Sequence, residues 1–369
     1  MTYTLNFKLF LFIAGVIITG SIEHITIPIM VSYFESLYFI LIITSLEGCI
    51  NFGLLLLILT KGKFRIPDKK QIVIMAGFFN ALMSICFIYS ANPERTPVVI
   101  QSIFLGLAII PTVIFRKVIL NKNVTYDKIL NPLSLILLLF SVAIATVPLF
   151  FEKQATTYYW IFGYILAIIL LSLDNTMQEK YVVETNDNSV INKITLAFYT
   201  SLCQVITLIM FFWVEFLFGY SNDPVNAFKN SATVFFTNYK YFFLLQLFIY
   251  DCLLLYILSI YLNAISTNYN MILTNLTNQS VAIFFTIFPK LNHGIKYSFG
   301  IILISLLLNI SSVILWIKGE NNEKVTEIND IPDNINQEQE QEQQQQNDKE
   351  NTEQYKSQYD DEESLINKV

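Results

Sequence analysis

The sequence predicts an all-α membrane protein that crosses the bilayer about ten times. Of its 369 residues, 54% are apolar and only 14% are charged, where a soluble chain carries nearer a quarter charged residues. Mean hydropathy is +0.52. The apolar residues come in unbroken runs, such as Leu37 to Thr60, Tyr241 to Tyr261 and Tyr297 to Ile317. Each run is about as long as a bilayer core is thick. A soluble fold would need a buried helix in every run and no amphipathic helices to cover them.

Breaks at charge and turn clusters place helices at roughly 8–30, 37–60, 71–90, 98–120, 129–149, 157–180, 194–218, 241–265, 268–289 and 297–317. Ten spans put both termini on one side, and Lys and Arg decide which. With the amino end cytosolic, the cytosolic segments hold 13 basic residues: Lys8, five from Lys61 to Lys70, four from Arg116 to Lys128, Lys180, Lys193 and Lys318. The opposite face holds 6: Arg95, Lys153, Lys229, Lys240, Lys290 and Lys296. The first helix reads as a retained signal anchor, because no small-residue cleavage pattern follows Lys8. Sequons at Asn123, Asn275, Asn278 and Asn309 fall in a cytosolic loop or inside helices and are expected to stay unglycosylated.

The net charge of −6 joins two different objects. From Gly319 onward there are 15 acids and 4 bases, leaving 14 acids and 19 bases in the membrane body. Residues 319–369 form an acidic Gln/Glu-rich cytosolic tail, expected to be disordered because it lacks apolar content to pack. Near its end Asp361, Leu365 and Ile366 match an acidic dileucine sorting pattern, which a cytosolic adaptor would read as an address for endolysosomal or vacuolar membranes.

Enzyme signatures are missing. The two histidines, His24 and His293, lack zinc-helix spacing, and no Cys/His cluster, Walker A or GxGxxG pattern occurs. No metal, cofactor or nucleic acid is expected. Cys49, Cys86, Cys203 and Cys252 sit inside apolar runs and read as small buried residues. Polar groups within the spans are more informative, because a charge at bilayer depth must face a cavity or a partner. They include Glu47 and Asn51, Asn80, Gln101 and Ser102, then Asp174, Asn175 and Gln178. Later spans carry Gln204 and Glu215, Asp251, and Asn275, Thr277, Asn278 and Gln279. A single Asn or Gln there also serves as interhelical glue. Glu47 and Asp251 lie farthest from either face. Asp174 and Glu179 are placed to snorkel toward Lys180, and Glu215 is expected to be solvated near the far interface. Pro28, Gly106, Pro111, Pro132 and Gly163 interrupt helices, as cavity-lining carrier helices are interrupted.

These residues resemble a family. Ile100, Gln101, Ser102, Leu105 and Pro111, Thr44 and Ser45 before an acid, Asn175 with Glu179, Gln204, and Ser266 with Thr267 occur in order over roughly residues 40–317. In this the chain is similar to the chloroquine-resistance-transporter-like proteins of the drug/metabolite transporter superfamily. It departs from them where Asn80 replaces an acid, where Asn278 and Gln279 replace a Gly-Pro pair, and in a short cysteine-free loop from Ser221 to Lys240. The resemblance implies two inverted five-helix halves, here residues 1–150 and 151–318. It also implies a lysosome-like or digestive vacuole membrane and proton-driven export of peptides, amino acids or related cationic nutrients to the cytosol, contributing to osmotic homeostasis of the vacuole. Asn80, Gln101 and Gln204 are then candidates to hydrogen-bond the substrate. Glu47 and Asp251 are candidates to bind the coupling proton or a cationic group.

Two other readings compete. Nucleotide-sugar transporters of Golgi or endoplasmic reticulum share the superfamily, but no Lys or Arg occurs between Lys240 and Lys290 to meet phosphates. A non-transporting scaffold or receptor is the third. If the sorting address operates, Leu365→Ala with Ile366→Ala moves a tagged protein from vacuolar membranes to the cell surface in fluorescence imaging. Unchanged vacuolar residence would dismiss the motif.

Overall fold

The computed structural model describes residues 7–31, 33–92, 95–121, 129–151, 157–219, 221–265, 267–288 and 298–329. Asn123, Ser266, Lys290, His293 and the sorting residues Asp361, Leu365 and Ile366 lie outside the described residues, as do the side chains of Asn275, Asn278 and Gln279. Among the described residues every regular element is helical: α1 (Phe7–Val31), α2 (Leu37–Leu59), α3 (Lys70–Ser90), α4 (Val98–Phe104), α5 (Ile109–Leu120), α6 (Leu130–Phe151), α7 (Thr157–Thr185), α8 (Val190–Met210), α9 (Val214–Phe218), α10 (Pro224–Thr237), α11 (Tyr239–Asn263), α12 (Thr267–Ile287) and α13 (Phe299–Asn329). Seven helical stretches among the described residues are long and apolar enough to cross a membrane, and shorter apolar stretches cover Ala14–Ile27 and Leu130–Ile144. The chain is a multi-pass α-helical membrane protein.

Local chemistry explains where helices begin and end. Ser36, Ser189 and Asp223 cap α2, α8 and α10 by accepting from the amides of Phe39, Asn192 and Asn226 at 3.1–3.2 Å. Pro224 follows Asp223 at the first helical position, where its missing N–H costs nothing. At the end of α2, Lys61 takes the left-handed conformation (φ 53°), and the Gly62 amide returns to the Leu57 carbonyl at 2.8 Å. That is a Schellman stop. Beyond it, Arg65 pairs with Asp187 at 3.0 Å and Lys69 with Glu184 at 3.2 Å, tying this loop to the turn between α7 and α8. The Ser189 amide, then its hydroxyl and Arg65, hold the Asp187 carboxyl below its ordinary range.

Three elements differ from the sequence expectation. The span expected at 194–218 breaks at residues 211–213 into α8 and α9. The stretch from Ser221 to Lys240, expected as a loop, holds the helix α10. Its Ala227, Ser231 and Phe235 face inward, and Ser231 Oγ accepts from the Ser36 amide at 2.9 Å. A helix of fourteen residues is too short to register in a hydropathy window tuned to spans. α13 runs to Asn329, into the segment expected to be disordered tail. Glu320 stands four residues before Lys324, a spacing and order that favour helix.

The chain divides into two compact units. The larger joins Met1–Val124 with Pro132–Leu315. In it α3 packs on α7, α2 on α8, α1 on α11 and α12, α4 on α12, and α5 on α7. α6 meets α13 through two reciprocal serine pairs. Ser134 and Ser312 each donate to the other's carbonyl at 2.7 and 2.8 Å, and Ser141 and Ser305 do the same at 2.8 and 2.9 Å. Small hydroxyl residues let backbones approach while satisfying their own polar atoms. The smaller unit joins Thr125–Asn131 with Trp316–Val369, and within it Asn131 lies against Gly319.

The fourth expected span is interrupted where Gly106 and Pro111 suggested. A 3-10 turn at Leu105–Ala108 separates α4 from α5. The Ala108 carbonyl gains two side-chain donors, Ser172 Oγ of α7 at 3.0 Å and Thr112 Oγ1 at 2.7 Å.

A close approach of α3 to α8 sets a test. A Cβ on Gly77 of α3 would stand 2.5 Å from Cys203 Cβ and 2.7 Å from the Thr200 carbonyl of α8, neither of which can swing away. Gly77→Ala should therefore cost about 1–3 kcal/mol, read as an earlier thermal aggregation midpoint in detergent. Gly300→Ala, with nothing nearer than 3.9 Å, should leave that midpoint unchanged.

Candidate functional site

Seven helices of the larger unit enclose a cavity of about 250 Å³. Helical spacing aims each contribution inward. Glu23 and His24 come from α1; Thr44, Gly48 and Phe52 from α2; Asn80, Ser84 and Phe87 from α3. Asp174, Asn175 and Gln178 come from α7, Ser201 and Gln204 from α8, Tyr256 from α11, and Asn270 and Thr277 from α12. Among the described lining residues there is no Lys or Arg. The titratable groups are two carboxylates, one imidazole, one phenol and one thiol, so the wall offers negative charge and hydrogen-bond acceptors.

The polar wall is organised in clusters. Gln204 Nε2 donates to Ser84 Oγ at 3.1 Å, and Ser84 Oγ donates to Asn80 Oδ1 at 3.4 Å, joining α8 to α3. A second cluster joins α7, α11 and α12. Gln178 Nε2 donates to Asp174 Oδ2 at 3.1 Å, and Asn263 Nδ2 donates to Asn175 Oδ1 at 2.6 Å and Gln178 Oε1 at 2.9 Å. Asn270 Nδ2 donates to Asn263 Oδ1 at 2.9 Å and Asn175 Oδ1 at 3.3 Å. On α1, Glu23 stands within electrostatic reach of Asp251 and hydrogen-bonds Cys252 of α11. His24 Nδ1 lies 3.0 Å from the Gly20 carbonyl, and its ring meets Phe87 edge-on at 6.0 Å.

Among the residues singled out from sequence, Asn80 and Gln204 come together on the cavity wall. Gln101 does not reach it. Its Nε2 donates to the carbonyls of Ala91 at 2.7 Å and Thr96 at 2.5 Å, holding the α3–α4 connection. Glu47 points one step around α2 from Gly48 and accepts from Gln246 Nε2 of α11 at 2.7 Å. Asp251 is buried beside Glu23 rather than on the wall.

Three sequence expectations need correction. Asp174 does not snorkel; it is 2% exposed and faces the cavity. Glu179 does not turn to Lys180, which pairs with Glu184 at 3.6 Å. Glu179 is instead buried in a bidentate pair with Arg116 of α5, at 3.0 Å on both bonds. Its Oε2 also accepts from the Thr267 amide at 3.0 Å and hydroxyl at 2.6 Å. Arg116, counted above among the cytosolic bases, is thus a buried residue paired with Glu179. Glu215 is not solvated; it is 2% exposed and accepts from the Tyr89 hydroxyl.

Sequence reasoning passed over Glu23, Asn263 and Asn270. Glu23 carried a usable signal, an acid well inside an apolar run. Asn263 and Asn270 did not, since polar residues near a span's end look like ordinary helix termini.

No family model matches the chain, and no curated protein matches it. Among solved structures it is similar to one described only as "Crystal structure of protein", at 12% identity and a TM-score of 0.49, covering 82% of this chain and 96% of that one. At that level the likeness assigns neither fold nor function.

The Glu179 cluster generates a prediction. Arg116→Ala strands a buried carboxylate and should cost about 3–5 kcal/mol, while Arg116→Met with Glu179→Met should cost less than Arg116→Ala alone. Thermal aggregation midpoints of the purified variants measure both. A double variant less stable than Arg116→Ala would contradict this account.

Proposed function

We propose that the chain is a carrier rather than an enzyme. It would export peptides, amino acids or related cationic solutes from a vacuolar or lysosomal lumen to the cytosol, coupled to protons. The observation that carries this reading is the cavity. It lies between helices of residues 1–150 (α1, α2, α3) and helices of residues 151–318 (α7, α8, α11, α12), and its described lining carries carboxylates and no Lys or Arg. A site between repeats near membrane mid-depth is where secondary transporters hold substrate. The acidic wall favours cations over phosphates and sugar nucleotides.

The helix packing supports ten spans in two five-helix repeats. Let α4 with α5 make the fourth span and α8 with α9 the seventh. Shifting every span by five then carries the most extensive pairings into one another. Third-on-sixth (α3·α7) becomes eighth-on-first (α11·α1), and first-on-ninth (α1·α12) becomes sixth-on-fourth (α7·α5). Second-on-seventh, fourth-on-ninth and the serine-paired fifth-on-tenth map onto themselves. A two-fold axis relating inverted halves produces that pattern. The resemblance to chloroquine-resistance-transporter-like proteins, the basic-residue asymmetry and the Asp361–Leu365–Ile366 address support an endolysosomal location with both termini cytosolic.

An acidic lumen stores about 1.4 kcal/mol per pH unit for each proton moved. Using it requires a group whose protonation differs between the two facing states. Asp251 beside Glu23 suits this, because a proton or cation there relieves repulsion between two carboxylates. Glu47 belongs to the other half and is tied to α11 through Gln246. Asn80 and Gln204 offer the substrate polar contacts. The test is pH-gradient-driven uptake of radiolabelled amino acids into sealed vesicles by Asp251→Asn, Glu23→Gln and Glu47→Gln proteins present in normal amount. Loss of the dependence on the gradient is expected for Asp251→Asn. Full, equally pH-dependent uptake by all three would end the proton-relay assignment.

A further inference from the structure

We propose that the end of the cavity formed by α7 and α12 is a cradle for a primary ammonium group, held by the Asp174 carboxylate and the Asn270 side-chain carbonyl. The proposal rests on the reading of the cavity as a solute path and adds what the solute must present there. Both residues face the cavity and are almost wholly buried, at 2% and 1% exposure. Asp174 Oδ2 accepts from Gln178, but its buried Oδ1 accepts from no group among the described residues. Asn270 Oδ1 is buried and likewise has no donor among the described residues.

The network around them fixes this arrangement. Asn270 Nδ2 donates to two side-chain carbonyls, those of Asn175 and Asn263. Flipping the amide would set oxygen against oxygen twice, so Oδ1 must face away from the cluster. Asn263 spends its own donor on Asn175 and Gln178. Asn175 Nδ2 is spent on the Leu171 carbonyl at 3.0 Å, so these donors are turned away from Asp174 Oδ1 and Asn270 Oδ1, two acceptors of which one is charged. Tyr256 lies close enough to sense the Asp174 charge, yet its hydroxyl lies beside Asn80 and Thr200. No Lys or Arg among the described lining residues neutralises Asp174.

Buried acceptors call for a donor, and a buried carboxylate calls for positive charge. A primary ammonium supplies both, with three N–H bonds and no acceptor of its own. A quaternary ammonium has the charge without the N–H. A bare alkali ion needs a fuller shell of oxygens than these two.

Probes that separate charge from N–H donation test the cradle on the purified full-length protein. The thermal midpoint is titrated with n-butylammonium chloride, n-butanol, tetramethylammonium chloride and sodium chloride at constant chloride. Only n-butylammonium should raise it, and Asp174→Asn should weaken its apparent affinity about tenfold or more, the loss expected for a charged hydrogen bond. An equal rise with tetramethylammonium would refute N–H recognition, a rise with sodium would make this an alkali-ion site, and no response to n-butylammonium would remove the cradle. The wild-type comparison decides even if Asp174→Asn fails to fold. Because the readout is binding alone, gradient-driven uptake without a butylammonium response would overturn the cradle and leave the carrier reading standing. Butylammonium binding without uptake would do the reverse.

Discussion

Hydrocarbon offers no hydrogen bonds, so every polar group inside the bilayer must find its partner within the protein. The rest of this structure follows from that constraint. Apolar side chains need no help in lipid, and they give adjacent helices little reason to associate. What joins them here is small and polar: the paired serines of α6 and α13, the amide cluster linking α7, α11 and α12, and the trident of Arg116 and Thr267 on Glu179. Where the backbone departs from α geometry, side chains supply the donors, as Ser172 and Thr112 do for Ala108.

The same constraint explains the cavity. Once most polar atoms are paired with one another, those left over define what the space can hold. The clusters on α3–α8 and α7–α11–α12 bind many of their own donors, and among the described residues the unpartnered atoms of lining residues are Asp174 Oδ1, Asn270 Oδ1, His24 Nε2 and the Thr44 and Tyr256 hydroxyls. The polar groups that stabilise the bundle and those that line the cavity belong to one network.

This also explains what was legible in the sequence. The long helices were, because each needs a run of apolar residues whatever it packs against. α10 was not, since its Ala227, Ser231 and Phe235 form a narrow stripe that matters only beside α2 and α11. Polar residues within spans marked the right helices but not which face they presented. Asn80 and Gln204 turned toward the cavity, while Gln101, with the same chemistry, is spent on two loop carbonyls. Glu47 and Gly48 are adjacent in sequence and diverge by the rotation of one helical residue. Depth in the membrane can be read from hydropathy; azimuth needs the neighbours. Glu179 shows the limit most clearly. Nothing in its local sequence points to Arg116, 63 positions away.

The Glu179 trident would have a kinetic consequence in the carrier proposed above. It ties α5, from residues 1–150, to α7 and α12, from residues 151–318, through two ion-pair bonds and two bonds from Thr267. In a carrier whose halves rock against each other, separating α5 from α7 breaks the ion pair before any new contact replaces it. In such a carrier that bond rupture would fall on the path between the two facing states whether or not solute is bound. Its barrier would set a ceiling on turnover and give the exchange a steep temperature dependence.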